Sequence, residues 1–110
     1  MAFTVDDVRT VVERYLIELE KNNIRVLQAF VFGSYARGTA DEDSDIDLAI
    51  ISKDFAGTRF LDRRRIVPLR RRIDERIEPM PFLPENFADG DPLALQIRAE
   101  GIEVELPYKA

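Results

Sequence analysis

The chain has no cysteine, no histidine and no tryptophan among its 110 residues. Without thiols there can be no disulfide, no thiolate zinc site and no cysteine nucleophile. Without imidazole the commonest metal ligand and the commonest general base are both missing. Long apolar runs are lacking too: nothing approaches the roughly 18 residues needed to cross a bilayer. The opening "MAFTVDDVRT" does not carry the basic and then apolar pattern of a signal peptide, so a cytoplasmic location without membrane contact is expected. Low-complexity tracts and internal repeats are also absent. Any chemistry must therefore run on carboxylates, hydroxyls, arginines or bound ions.

What is present is the composition of a globular protein, 45% hydrophobic and 34% charged. Its length suits one domain, 1–110, with a core of its own. The formal net charge of -5 argues against stable duplex-DNA binding, which rests on many phosphate contacts from Lys and Arg. That average conceals a division. Five acids fall between Asp41 and Asp47, and eight arginines fall between Arg59 and Arg76.

Thr4 followed by Asp7 reads as a helix cap, and Val5, Val8, Val12, Tyr15 and Leu19 recur at amphipathic spacing until "KNN", where Asn22 or Asn23 can take a left-handed cap. The stretch from Ile24 to Phe32 reads as a buried strand that Gly33 stops, followed by one or two helical turns over "SYARG" and a turn at "TADEDS". "DIDLAII" reads as a second strand, with Ile46, Leu48 and Ile50 on one face and Asp45, Asp47, Ala49 and Ile51 on the other. After "SKDFAG" a helix is expected from Arg59 to about Ile73, burying Ile66, Leu69 and Ile73 and kinked or interrupted at Pro68. A short strand over about Arg76 to Met80 follows, which Pro79 places at an edge or ends early. "PFLPENFADG" reads as a loop, Asp91 and Pro92 open a last helix that Gly101 ends, and "IEVEL" alternates as a final strand. The expected class is α/β (α+β), with helices packed on one small mixed β-sheet.

Two aspartates on a strand that otherwise reads as core demand an explanation. Residues two apart in a strand point the same way, with Cα atoms roughly 6.6 Å apart. Asp45 and Asp47 thus converge on one patch, where two ionised carboxylates repel unless a cation lies between them. The natural cation is a hard one, Mg²⁺ or Mn²⁺, which takes oxygen ligands and keeps positions open for water and phosphate. Gly33 and Ser34 stand where a strand passes into a short helix, a setting in which backbone N–H groups and a hydroxyl can hold phosphate oxygens. No Walker sequence is present.

Gly33-Ser34, ten intervening residues and then Asp45-x-Asp47 resembles the signature of the DNA polymerase β-like nucleotidyltransferase superfamily. The wording "FGSYARGTADEDSDIDLAI" is similar to the minimal nucleotidyltransferases, the MNT proteins often paired with HEPN partners in toxin-antitoxin modules. The resemblance covers about Ile24 to Met80. It implies a polymerase β-like palm fold and a two-metal transfer of a nucleoside monophosphate, AMP from ATP or another NTP, to an acceptor hydroxyl. In it Asp45 and Asp47 would be metal ligands, and Gly33 and Ser34 would hold the triphosphate. Arg37 is either a further phosphate contact or a surface arginine. The resemblance also asks for a third acid from a later strand, for which Glu78 is the first choice and Glu75 the second.

The remaining features divide between ordinary and functional readings. Asp41, Glu42 and Asp43 read as a solvated loop that adds negative potential. The arginine-rich helix is either a solvated face whose stems cover apolar surface or a surface for an acidic partner or phosphates. Phe82, Leu83 and Phe87 read as residues that pack their loop onto the core, the alternative being an exposed hydrophobic docking patch, and Tyr35 either packs or stacks on a base. The expected partner is a HEPN-type protein carrying the acceptor hydroxyl. The alternatives are an antitoxin that acts by contact alone and an enzyme that modifies a small molecule such as an aminoglycoside.

Overall fold

The computed structural model describes residues 5–41, 43–88 and 91–108. The Thr4 cap, Glu42 and the end of the "PFLPENFADG" stretch lie outside these. The first helix, α1, runs over Val5–Lys21 and buries Val8, Val12, Tyr15, Leu16 and Leu19 on one stripe. Its end is the expected one: Asn23 adopts φ 67, Asn23 N–H donates to the Glu20 carbonyl, and Ile24 N–H donates to the Leu19 carbonyl, each at 3.0 Å. That is a Schellman closure, and the buried pair Leu19 and Ile24 supplies the apolar contact that accompanies it.

The strand expected from Ile24 is shorter, with β1 spanning Gln28–Phe32. Ile24 and Val26 are buried as expected, but at Arg25 and Val26 the backbone is satisfied by side chains instead of a ladder. Arg25 N–H donates to Asp54 Oδ2 at 2.9 Å, Val26 N–H donates to the Tyr108 hydroxyl at 3.1 Å, and Ser52 Oγ donates to the Arg25 carbonyl at 2.7 Å. Those partners are distant in sequence, so the apolar pattern alone could not separate this segment from a strand.

After the short helix α2, Ser34–Arg37, the chain enters β2, Ile46–Ile51. β2 is central in a four-stranded sheet of order β3-β2-β1-β4, antiparallel to β1 and parallel to β3. Ile46, Leu48 and Ile50 pack with α1 in the larger core, while Ala49 and Ile51 join Phe30, Phe82, Phe87, Ala94 and Ile97 on the opposite face. Burial on both faces explains why "DIDLAII" is apolar at nearly every position after its aspartates.

α3 covers Arg59–Ile66 and continues as a 3₁₀ segment, Val67–Arg72. Pro68 causes the change: it has no N–H for the carbonyl four residues back, and its ring crowds that carbonyl. Tyr15 seals the junction, its hydroxyl donating to the Ile66 carbonyl at 2.6 Å. Burial raises the Tyr15 pKa far above the ordinary phenol value, so the group stays a neutral donor.

β3 spans Ile77–Phe82 and lies at the sheet edge. Bonds from Ile46 N–H to the Arg76 carbonyl and from Ser52 N–H to the Phe82 carbonyl show that the even-numbered residues bond to β2. Pro79 and Pro81 then sit on the outer row, where a missing N–H costs the ladder nothing, and the strand continues two residues past its expected end.

The loop expected at "PFLPENFADG" is corrected. Pro81 and Phe82 complete β3, and Pro84–Ala88 form a helix, α4, with proline at its first position. Phe87 is drawn inward, with ring centroids 5.3 Å from both Phe30 and Phe82. α5, Pro92–Glu100, is capped by Asp91, whose carboxylate accepts from Leu93 and Ala94 N–H. "IEVEL" yields only Ile102–Glu103 as β4, paired with Phe30 and Val31.

Tyr15→Phe should lower stability by about 1 kcal/mol by leaving the Ile66 carbonyl without its donor. Leu48→Ala, which empties a site between two layers, should cost about 2–5 kcal/mol. Urea unfolding followed by circular dichroism measures both, as a lower midpoint at unchanged slope.

Candidate functional site

The site starts at the end of β1. Gly33 takes φ 72 and ψ -144, reversing the chain into α2, whose first turn closes with Arg37 N–H donating to the Gly33 carbonyl at 3.1 Å. Gly38, at φ 75, ends α2, and Thr39 N–H returns to the Ser34 carbonyl at 2.9 Å. The antiparallel register pairs Phe32 with Asp47, which places the Asp47 side chain over Gly33. A Cβ on Gly33 would collide with Asp47 Oδ2, and Asp47 Cγ would be 3.1 Å away. Glycine is needed here for its left-handed backbone and for the space its missing side chain leaves.

The parallel register pairs Asp47 with Glu78, so neighbouring strands point two carboxylates the same way, and Asp45 enters one position before β2. The Asp47 carboxyl is pushed above its usual range, first by burial, then by the charges of Asp45 and Glu78, while Arg37 opposes the rise. Such a patch suits a hard divalent cation, with Asp47 as the donor at the Gly33 turn and Asp45 as the charge that acts on it most. Among the described residues no three acids come close enough together to form one ligand cluster.

Glu78 has partners that the sequence reading did not foresee. Its Oε1 pairs with Arg70 at 3.1 Å and its Oε2 with Arg63 at 3.3 Å, and Arg70 also donates to the Ile77 carbonyl at 2.9 Å. Glu75, the second candidate, is exposed in the turn before β3, away from the strand row that carries Glu78. Its neighbour Asp74 is held by Arg76 at 2.6 Å, which keeps its carboxyl below the ordinary range.

The approach to Asp45 is pinned by a chain of polar contacts. Arg76 donates to the Tyr35 hydroxyl at 3.5 Å, and Tyr35 donates to the Asp41 carbonyl at 3.2 Å. Asp41 in turn accepts from Asp43 N–H at 2.9 Å and from Ser44 Oγ at 3.2 Å, an Asx-type turn. Asp41 therefore shapes the loop and faces solvent, and Tyr35 packs against the larger core.

The arginine-rich segment divides. Arg63 and Arg70 turn toward Glu78, Arg59 lies over the Phe82 ring at 5.5 Å, and Arg65 donates to the Asp54 carbonyl at 2.7 Å. Arg64, Arg71 and Arg72 are exposed, and Arg64 lies 5.8 Å from the ring centre of Phe60, a residue that is 69% exposed. Asp62 is the reverse case, a carboxylate 1% exposed within a basic helix. It accepts from Ala56 N–H at 2.7 Å and Gly57 N–H at 2.9 Å and ties α3 to the preceding loop. No sequence signal marked it except its isolation among arginines.

Residues 12–89 match the family model of the nucleotidyltransferase domain. The chain belongs to that family. It is also similar to the protein adenylyltransferase MntA of Shewanella oneidensis, 44% identical over 43 residues, which are 38% of this chain and 31% of that protein. The chain thus matches less than a third of that curated relative's length. Two solved structures share the fold. One, a provisionally assigned nucleotidyltransferase from Sulfolobus solfataricus, has a TM-score of 0.62 at 15% identity and covers 86% of this chain and 77% of its own. The other, a toxin-antitoxin structure with AMP-PNP, has a TM-score of 0.59 at 23% identity and covers 86% and 73%. As a nucleotidyltransferase domain, the chain joins a mixed sheet to a Gly-Ser turn and an aspartate pair at the start of β2.

Because burial and like charges penalise ionised Asp47, Asp47→Asn should raise the melting temperature by a few degrees at pH 7.5 in EDTA. The sign follows from the raised folded-state pKa: the penalty exists where the group is ionised and vanishes as pH falls below about 4, where both states are protonated. Melting curves at the two pH values measure it. Gly33→Ala should instead lower the melting temperature, since strain and the clash with Asp47 act together.

Proposed function

We propose that this nucleotidyltransferase domain transfers AMP from ATP to a hydroxyl of a partner protein, acting in the cytoplasm as the antitoxin of a pair whose other member is of the HEPN type. The observation that carries the reading is the Asp47 carboxylate lying against Gly33, which brings one acid of the pair, the Gly33 turn and Arg37 to one cleft. The donor set fits magnesium or manganese: hard oxygens at alternate positions, with excess negative charge that a divalent ion would relieve. Two such ions, held by Asp45 and Asp47, would polarise the α-phosphate and offset charge on the departing pyrophosphate; Glu78 would join them as third ligand only on leaving Arg63 and Arg70.

The chain's own residues do the positioning. Gly33 lets the triphosphate approach the backbone, Ser34 and the first N–H groups of α2 donate to its oxygens, and Arg37 adds a positive charge. The acceptor oxygen forms a bond to the α-phosphorus as the bond to the bridging oxygen breaks. The electron pair leaves with pyrophosphate, and the acceptor proton passes to Glu78 or to solvent. The name of the Shewanella oneidensis relative supports AMP as the transferred group and a protein as acceptor. The AMP-PNP toxin-antitoxin structure supports an adenine nucleotide and a paired partner.

One observation favours a second reading. Glu78 is held by both Arg63 and Arg70, an arrangement that suits an antitoxin working by contact with little turnover.

Labelled ATP, Mg²⁺ and the protein encoded beside this one separate the two. Transfer predicts label on the partner that falls at least about 100-fold in Asp45→Asn/Asp47→Asn. Equal label with the double variant overturns it. Contact alone predicts that the double variant protects cells from the partner as well as the parent does.

A further inference from the structure

A cleft of about 220 Å³ lies between the Gly33 turn and α5. One wall carries Gly33, Arg37 and Asp47, the groups assigned above to phosphate and metal. The other is made by α5, whose Leu93, Gln96, Ile97 and Glu100 recur at three- and four-residue spacing and so present a single helical face to it. That face is held in place from both sides. Asp91 caps the helix start, and Ala94 and Ile97 are buried against the sheet.

We infer that this face of α5 is the nucleoside-binding wall and that Gln96 reads the amino edge of adenine. The inference rests on the triphosphate lying along the start of α2, as proposed above. The volume is below the roughly 300–1,000 Å³ of pockets that enclose a whole drug-sized ligand, so the cleft takes part of a nucleotide while the charged tail stays open to water. Part of its lining is apolar: Phe32 and Leu93, both partly buried, offer carbon surface to a planar base, with the buried Ile97 behind them. At the rim the polar groups are an amide and a carboxylate, with Gln96 Nε2 donating to Glu100 Oε2 at 3.4 Å. This contact uses one amide hydrogen and leaves Gln96 with a second hydrogen and its carbonyl oxygen.

A primary amide with one donor and one acceptor matches the N6/N7 edge of adenine, an amino donor beside a ring-nitrogen acceptor. The corresponding O6/N7 edge of guanine presents two acceptors, one of which the Gln96 carbonyl would oppose, so the base is read on its N7 side. Glu100, an acceptor only, suits a sugar hydroxyl.

Calorimetric titration of the full chain in Mg²⁺ with ATP, GTP and inorganic tripolyphosphate tests this, using Gln96→Met as a variant of similar shape on an exposed position. The parent should prefer ATP to GTP by about tenfold or more. Gln96→Met should bring that ratio to within about twofold while leaving tripolyphosphate affinity unchanged. Equal binding of ATP and GTP by the parent, or an unchanged ratio in Gln96→Met, overturns the inference and leaves the triphosphate reading standing. Failure of both tripolyphosphate and ATP to bind the parent overturns that reading and the inference with it.

Discussion

The approach of the Asp47 carboxylate to the backbone of Gly33 is the constraint on which the rest of the site depends. It needs a residue without Cβ at the end of β1, an antiparallel register pairing Phe32 with Asp47, and a β2 strand that cannot slip. A shift of β2 by one residue would turn Asp47 into the α1 core and bring Ile46 to the cleft, and burial of both faces forbids it. The two hydrophobic clusters thus act on the chemistry indirectly, by fixing which side chains of one strand face the cleft.

Charge is managed by placement more than by composition. Asp45, Asp47 and Glu78 raise the local negative potential, and the arginines that answer it arrive from α3 and the 3₁₀ segment behind Pro68. Without the change of helix type at Pro68, Arg70 would point elsewhere around the helix axis and could not bridge Glu78 and the Ile77 carbonyl. These ion pairs are partly exposed, so each adds little stability by itself. Their effect is to orient Glu78. The chain Asp74, Arg76, Tyr35 and Asp41 does the same for the loop that leads into Asp45.

Several features were legible because they depend on neighbours in sequence. The Asn23 cap, the Asp91 cap, the break at Pro68, the edge position of Pro79 and the aspartate pair at the start of β2 are each set by a residue and the few around it. The errors fall where long-range partners decide. Ile24 to Leu27 looks like strand because its apolar pattern is right, yet the Arg25 and Val26 backbone bonds to Asp54, Tyr108 and Ser52 side chains, and only Leu27 N–H reaches the neighbouring strand, at the Ile51 carbonyl. Pro84 to Ala88 looked like loop because two prolines and a glycine surround it, yet Phe87 gains a nest of aromatic rings by closing into a helix. Asp62 could not be found as a buried anchor, since its backbone partners belong to a turn whose path is itself a tertiary matter.

By itself the sequence determined the kinds of groups available and their local geometry: carboxylates without imidazole or thiol, a glycine turn before a short helix, and two aspartates on one side of a strand. Only the tertiary structure decided that Glu78 and not Glu75 stands beside Asp47, that two arginines hold it, and that α5 closes the cleft. The physical reason is range. Backbone propensity and side-chain alternation act over a few residues, whereas the register of a parallel strand pair and the packing of a distant helix arise when apolar faces far apart in the chain are buried together.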